Sequence, residues 1–301
     1  MGAGTPADGV LLLDKAPGIT STRALAMARR ALSATKGGHT GTLDPFATGL
    51  LPLVFGEATK FSRFLLDSTK AYEATLCLGQ ETETGDTESA PRRVSEDIPL
   101  STKIAEITAK FVGDITQTPP MHSAVHIDGK RLYEYAREGL TVDRPTRQVH
   151  VSSLEVLRIE GAALTIRVVC SKGTYIRVLA ADIGRALGCG AYLTALRRTA
   201  VGSFRIEDAV GLEDLGAMGA PSARTRLLPV EALVAALPRL DVEGHAETRF
   251  RQGQALPAAG ADGVLAVFGA SRGFLGVGEV QGEAIAPLRL VAEVAKSPDF
   301  A

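Results

Sequence analysis

The chain has 301 residues, 45% of them hydrophobic and 22% charged, which excludes a largely disordered protein and leaves room for one large domain, or a large one and a small one. No run approaches the roughly 18 apolar residues that span a bilayer, because residues 9–13 are followed by Asp14 and Lys15, so no membrane association and a cytoplasmic location are expected. The net charge of −1 conceals blocks of +3 (1–70), −5 (71–120), +6 (121–205) and −5 (206–301), and the two basic blocks suit a polyanionic partner.

Residues 1–8, rich in Gly, Ala and Pro without a basic flank, read as a disordered tail rather than an export signal. From Ser21, the spacing of Leu25, Ala28 and Leu32 behind a Ser or Thr cap predicts an amphipathic helix with Arg23, Arg29 and Arg30 on its outer face. A glycine-rich loop follows from Lys36 to Pro45, a binding candidate. Tyr72, Ala74 and Leu76 alternate with Glu73, Thr75 and Cys77, which predicts a half-buried strand ending at Gly79 and then a polar loop over 80–93. Ile104, Ile107 and Phe111 mark a helix stopped by Gly113, and Thr118-Pro119-Pro120 cannot continue it. A short helix is expected over 132–138, and Leu164, Ile166 and Val168 form a second alternating strand. Ile176, Leu179, Ile183 and Leu187 then fall at helical spacing, with Gly188 as the stop. Beyond Phe204 glycine, alanine and proline become dense. A short helix over 228–237 and a boundary at 235–240 are expected there. The apolar runs 264–268, 274–280 and 288–291 then predict a small β-rich C-terminal domain.

Cys77, Cys170 and Cys189 form no CxxC pair and are expected to be reduced. His122 and His126 stand four apart, but Ile127-Asp128-Gly129 reads as a turn without a third ligand, so no metal is expected. Asp44, before Pro45 in a glycine-flanked loop, is either a turn-initiating aspartate or a catalytic carboxylate. The second reading needs a cation, and Arg177, at a helix start behind a Gly-Thr-Tyr turn, is the best placed. His39 is either a loop histidine or a group facing a ligand. Lys36 and the three arginines of the preceding helix suit phosphates. No serine or cysteine nucleophile accompanies them, and the GK[ST] ending of a P-loop is absent.

The run from Gly38 to Leu51, GHTGTLDPFATGLL, resembles the catalytic loop of the TruB family, the tRNA pseudouridine-55 synthases. Further matches follow in order: Asp14-Lys15, Gly18 to Ser21, Lys70-Ala71-Tyr72, Gly85-Asp86, Gly129 to Tyr133, Ser171 to Arg177 and Leu196-Arg197-Arg198. Two departures stand out: Pro17 lies one place later than usual, and His122 and His126 occupy places where tyrosine and lysine are common.

The resemblance implies an α+β pseudouridine-synthase fold over 9–235, a mixed, largely antiparallel sheet with flanking helices, and a PUA-like RNA-binding domain over 240–301. It also implies a basic RNA-clamping flap over 121–149. The implied reaction detaches uracil at N1, rotates it and rejoins it through C5 at position 55 of the T-loop, with no cofactor and no metal. Asp44 would be the essential carboxylate, Arg177 its partner, and Tyr72 the ring that stacks on the flipped uracil and assists at C5. His39 would fill the vacated space and Leu196 border the pocket, with Lys15, Lys60, Lys130, Arg131, Arg197 and Arg198 on phosphates. The T-arm of tRNA is the implied partner of a monomer with no obligate protein partner. Two competing readings are a non-catalytic tRNA-binding or folding protein, which would not need Asp44, and a phosphotransferase, which would want a second acid beside Pro45-Phe46-Ala47.

Overall fold

The computed structural model describes residues 7–258, 262–271 and 273–292. The first strands are β1 (Gly9–Lys15), β2 (Gly37–His39), β3 (Thr48–Phe55) and β4 (Lys70–Leu78). They are followed by β5 (Gly113–Gln117), β6 (Arg147–Glu160), β7 (Ala163–Cys170), β8 (Ala191–Val201), β9 (Phe204–Arg205) and β10 (Val210–Gly211). Together they form one sheet of order β10-β1-β3-β8-β4-β7-β6-β5, with β2 on β3 and β9 on β8. Only β1 with β10 and β3 with β8 pair in parallel, so the sheet is mixed and largely antiparallel.

Helices α1 (Ser21–Ala31), α3 (Ser101–Ala109) and α5 (Ile176–Leu187) cover one face. The Thr20 hydroxyl accepts the Arg23 N–H at the start of α1, and Gly188, with φ of 79°, ends α5 in the left-handed conformation that a side chain disfavours. Between them lie α2 (Ser62–Leu66) and α4 (Leu132–Arg137). The alternation in β4 puts Tyr72, Ala74, Leu76 and Leu78 under these helices and leaves Glu73, Thr75 and Cys77 half-buried on the far face.

A second sheet is built from β11 (Arg239–Val242), β12 (Leu256–Pro257), β13 (Gly263–Gly269), β14 (Gly273–Gln281) and β15 (Ala284–Leu290), with the helix Gly244–Arg251 against it. This small C-terminal β domain packs on the far face of the large sheet. Val10, Leu12, Leu50 and Val54 meet Ala266, Val277 and Phe274 in one apolar cluster, and the Phe61 and Phe274 rings lie 5.3 Å apart.

Several expectations are corrected. Ala7 is packed in the core and the Asp8 carboxylate accepts the Glu57 N–H, so these two belong to the fold, while residues 1–6 lie outside the described residues. The 36–45 loop carries a short strand, β2, and the 80–93 loop a ladder of Gln80–Glu81 with Arg92–Arg93. Helix α3 ends at Ala109, and Gly113 opens β5. Between Pro229 and Pro238 there is room only for the 3-10 turn Val230–Val234. The flap segment ends earlier than expected, because Arg147 to Val149 are already paired in β6.

Candidate active site

Asp44 lies on the loop between β2 and β3, which is held from three sides. The Ser21 hydroxyl donates to Leu43 O and accepts the Leu43 N–H (3.0 and 2.9 Å), which fixes the residue before Asp44 to the first turn of α1. The Lys15 ammonium donates to Ala16 O, Ile19 O and Pro45 O. Arg198 donates to Gly41 O and Leu50 O, so one buried guanidinium ties both ends of the loop. Gly49 permits this closeness. With φ of 101° it sits where a Cβ would lie 2.3 Å from Arg198 O.

Arg177 reaches Asp44 from the first turn of α5, with Nε 3.0 Å from Asp44 Oδ2 and Nη2 3.4 Å from Oδ1. The guanidinium is buried, and its other donors meet Thr84 O (2.9 Å) and His122 O (2.8 Å). Asp86, also buried, faces the same Nε at 3.6 Å, while its Oδ1 accepts from the Thr84 hydroxyl and the Glu88 N–H. One cation thus serves two carboxylates. Burial pushes the Asp44 carboxyl above the usual aspartate range and Asp86 pushes the same way, against the pull of Arg177 and Lys15.

The pair stands at the wall of a cavity of about 310 Å³ lined by Tyr72, Leu196, Tyr175, Lys70 and Thr42 among others, a volume at the lower end for ligand sites. Tyr72 lies opposite Arg198 in the β4–β8 ladder, and burial raises its phenol, opposed by the Arg198 charge. The cavity is therefore walled by an aromatic ring kept neutral, an aliphatic side chain and an ion pair. A planar heterocycle can be stacked there, with a carboxylate beside its substituent.

A second, open groove runs from Asp44 past His39 and Thr22 to Ser123, Arg131, Tyr133 and Arg137. The Arg131 and Arg137 guanidinium carbons lie 5.8 and 5.3 Å from the Tyr133 ring centre, an aromatic surface set between two cations. Burial lowers the His39 imidazole below its usual range.

The structure brings Asp44, Arg177, Tyr72 and Leu196 together at the cavity, and His39 and Arg131 into the adjoining groove. Lys15 and Arg198 are corrected: both are fully buried and spent on backbone carbonyls, leaving no surface for a phosphate. Lys60 is turned to Glu57 and to Leu290 O of the C-terminal domain, away from the groove. Arg197 grips Asp14 through two bonds, and Lys130 pairs with Glu138. Sequence reasoning missed Asp86, although Gly85-Asp86 is among the matched motifs, and it missed Tyr133 as a groove residue, while Arg137 counted only as one basic residue of the 121–149 flap. Their helical spacing of four on α4 was the available signal.

The mixed sheet, the cleft at its middle and the carboxylate–arginine pair in it agree with the class that comparison with known proteins assigns, the pseudouridylate synthases. Residues 29–176 match the TruB family pseudouridylate synthase N-terminal domain, 177–235 the tRNA pseudouridylate synthase B C-terminal domain, and 238–291 the C-terminal domain of pseudouridine synthase II TruB. The tRNA pseudouridine synthase B of Aromatoleum aromaticum is 53% identical over 96% of this chain and 94% of its own. That of Dechloromonas aromatica is 53% identical over 94% and 95%. Among solved structures, a Cbf5-Nop10-Gar1 complex superposes with a TM-score of 0.74 at 28% identity, over 95% of this chain and 85% of the other. An H/ACA RNP bound to a substrate RNA containing 2'-deoxyuridine gives 0.72 at 27% identity, over 95% and 86%. The chain belongs to the TruB family and is an isomerase. No described helix is long and apolar enough to cross a membrane.

Proposed function

We propose that the protein converts uridine 55 in the T-loop of tRNA to pseudouridine, with Asp44 as the essential carboxylate. The observation that carries this reading is the Asp44–Arg177 pair at 3.0 Å inside a cavity walled by Tyr72 and Leu196, in a chain about half identical to enzymes named tRNA pseudouridine synthase B. The target base leaves its stack and enters the cavity, at an unstacking cost of a few kcal/mol that contacts in the cavity and groove offset. Tyr72 stacks on the uracil, and His39, in the groove beside Asp44, fills the space the base leaves.

Arg177 keeps Asp44 ionised against its buried surroundings. The carboxylate then acts on the ribose, as nucleophile at C1′ or as base in an elimination, while the N1–C1′ bond breaks. The uracil turns and C5 bonds to C1′, displacing the carboxylate from C1′ on the first route or with the ribose proton returned on the second; the C5 proton departs and N1 ends protonated, so the isomerisation consumes nothing. Tyr72 is the nearest candidate to assist at C5. Its neutral phenol receives a proton poorly, so its first role is stacking.

RNA outside the cavity lies in the groove of Arg131, Tyr133 and Arg137, with residues 121–146 as the clamp and the C-terminal domain as an auxiliary RNA-binding module. The test is tRNA carrying tritium at uracil C5: bond formation there releases the label. Absence of release from unmodified tRNA, or release undiminished by replacing U55, overturns the proposal.

A further inference from the structure

Gln117, the last residue of β5, is 1% exposed, yet it lies outside the cavity and none of the roles above uses it. Its side-chain amide faces the backbone of Tyr175, the residue that opens α5. The Tyr175 N–H donates to Gln117 Oε1 at 3.0 Å, and Gln117 Nε2 donates to Tyr175 O at 3.3 Å. The side chain imitates a strand neighbour and closes a two-bond ring with the N–H and C=O of one residue, which belong to the two peptide units on either side of its Cα. Tyr175, the N-cap residue of α5, makes no side-chain cap, and Gln117 anchors it through the N–H and C=O of its backbone. Arg147, paired with Gln117 in the β5–β6 ladder, lies 5.2 Å over the Tyr175 ring and holds the same residue by its other end.

Two residues further on, Arg177 meets Asp44, and its Nη2 donates to His122 O. Residues 117 and 122 flank Thr118-Pro119-Pro120-Met121, whose prolines restrict the chain between them. This short strap therefore grips the first turn of α5 twice, at Tyr175 through Gln117 and at Arg177 through His122 O.

We propose that Gln117 is a positioning residue for the reaction, which sets the depth and angle at which Arg177 meets Asp44 by fixing the backbone of Tyr175 on both sides of its Cα. The inference rests on the catalytic reading of Asp44. A guanidinium on an unanchored first turn would sample positions an ångström away, and displacements of that size cost up to about 100-fold in rate.

The test is Gln117→Met, which keeps length and volume and removes both hydrogen bonds. The expected result is a fall in kcat of about ten-fold with KM for tRNA within about three-fold. A second readout needs no substrate: the titration of the Asp44 carboxyl followed by carbon NMR in the free protein. The charged and titratable groups near Asp44 are Arg177 on α5, Lys15 on β1, Tyr72 on β4, and Asp86 and Glu88 in the loop after β4. Of these, Gln117 is tied to the turn of Arg177, so loosening it moves Asp44 upward in pKa and moves the acid limb of kcat with it.

A role in folding alone would lower the fraction of active enzyme and leave both the titration and the limb in place, and that result overturns the inference. So does kcat within two-fold of the wild type. Should Gln117→Met fail to fold, Gln117→Glu, which keeps the acceptor for Tyr175 N–H and loses the donor, carries the same test. Its kcat is expected below that of the wild type by up to about ten-fold, and wild-type kcat with an unmoved titration overturns the inference. A wild-type chain that releases no tritium overturns the proposed function instead, and the Asp44 titration still reads the positioning.

Discussion

Residue type and local context made Asp44 and Arg177 candidates for a pair, a carboxylate in a glycine-flanked loop and an arginine at a helix start, but left Asp44 open to an ordinary turn, and only the family resemblance chose the catalytic reading. The charge partners of the site could not be read in this way, since burial is a property of the fold: Lys15 and Arg198 look like surface cations in the sequence and are core struts in the structure. Asp44→Asn should reduce tritium release below about one part in a hundred while tRNA binding stays within a few-fold, as read by single-turnover assay and filter binding. Because the Asp44 carboxyl is raised, kcat should fall on acidification at a pH above that of an ordinary aspartate, which a pH–rate profile on a stable substrate shows. Tyr72→Phe should keep binding, while Tyr72→Ala should weaken it by about 1–3 kcal/mol of lost stacking. Lys15 titrates near pH 8 in the folded chain against 10.5 in the free residue, since burial disfavours its charge. Its contribution to stability is thus present above about pH 10.5 and lost as pH falls through 8. Lys15→Met should flatten the rise in urea midpoint across that window.

Among elements, the strand β4 was readable because one of its faces is only half-buried, which leaves a clean alternation. The strands β6 and β8 were not. Each contains two register shifts, and the buried positions of β8 run Ala191, Leu193, Leu196, Arg198, Val201, a spacing that matches neither strand nor helix throughout. Those same shifts put Leu196 and Arg198 on the face of the site. The segment 121–146 is neither free nor wholly docked: Leu132 is buried and its N–H meets Val125 O, whereas residues 138–141 are exposed. Amide exchange should therefore be slow at Leu132 and Tyr133, fast over 138–146, and slowed there by tRNA at low salt. Helix α1 carries three arginines and no acid, and Arg23 stands in its first turn, against the helix dipole. Arg23→Ala with Arg30→Ala should lower the salt slope of tRNA binding by about 2 without changing kcat, if both meet phosphates. An unchanged slope would leave them as solvated surface.

At the scale of the molecule, the break at 235–240 was legible from composition, but the contact across it was not, because the residues that meet lie far apart in sequence. Phe61 is fully buried against Phe274, so Phe61→Ala should cost about 3–5 kcal/mol in urea unfolding, more than a loop residue of an independent domain would. A chain ending near Pro238 bares that cluster and should melt earlier, while still modifying an isolated T-arm stem-loop in the cold. The pressing of one sheet on the other leaves β1 and β3 in the middle: Leu11, Leu13, Leu51, Leu53 and Phe55 belong to one cluster, and Val10, Leu12, Leu50 and Val54 to the other. Neither strand has an outside, so genetic drift finds no silent position along them. A saturation library selected for growth should tolerate polar codons at every second place in β4, and across 10–13 and 50–55 at almost none.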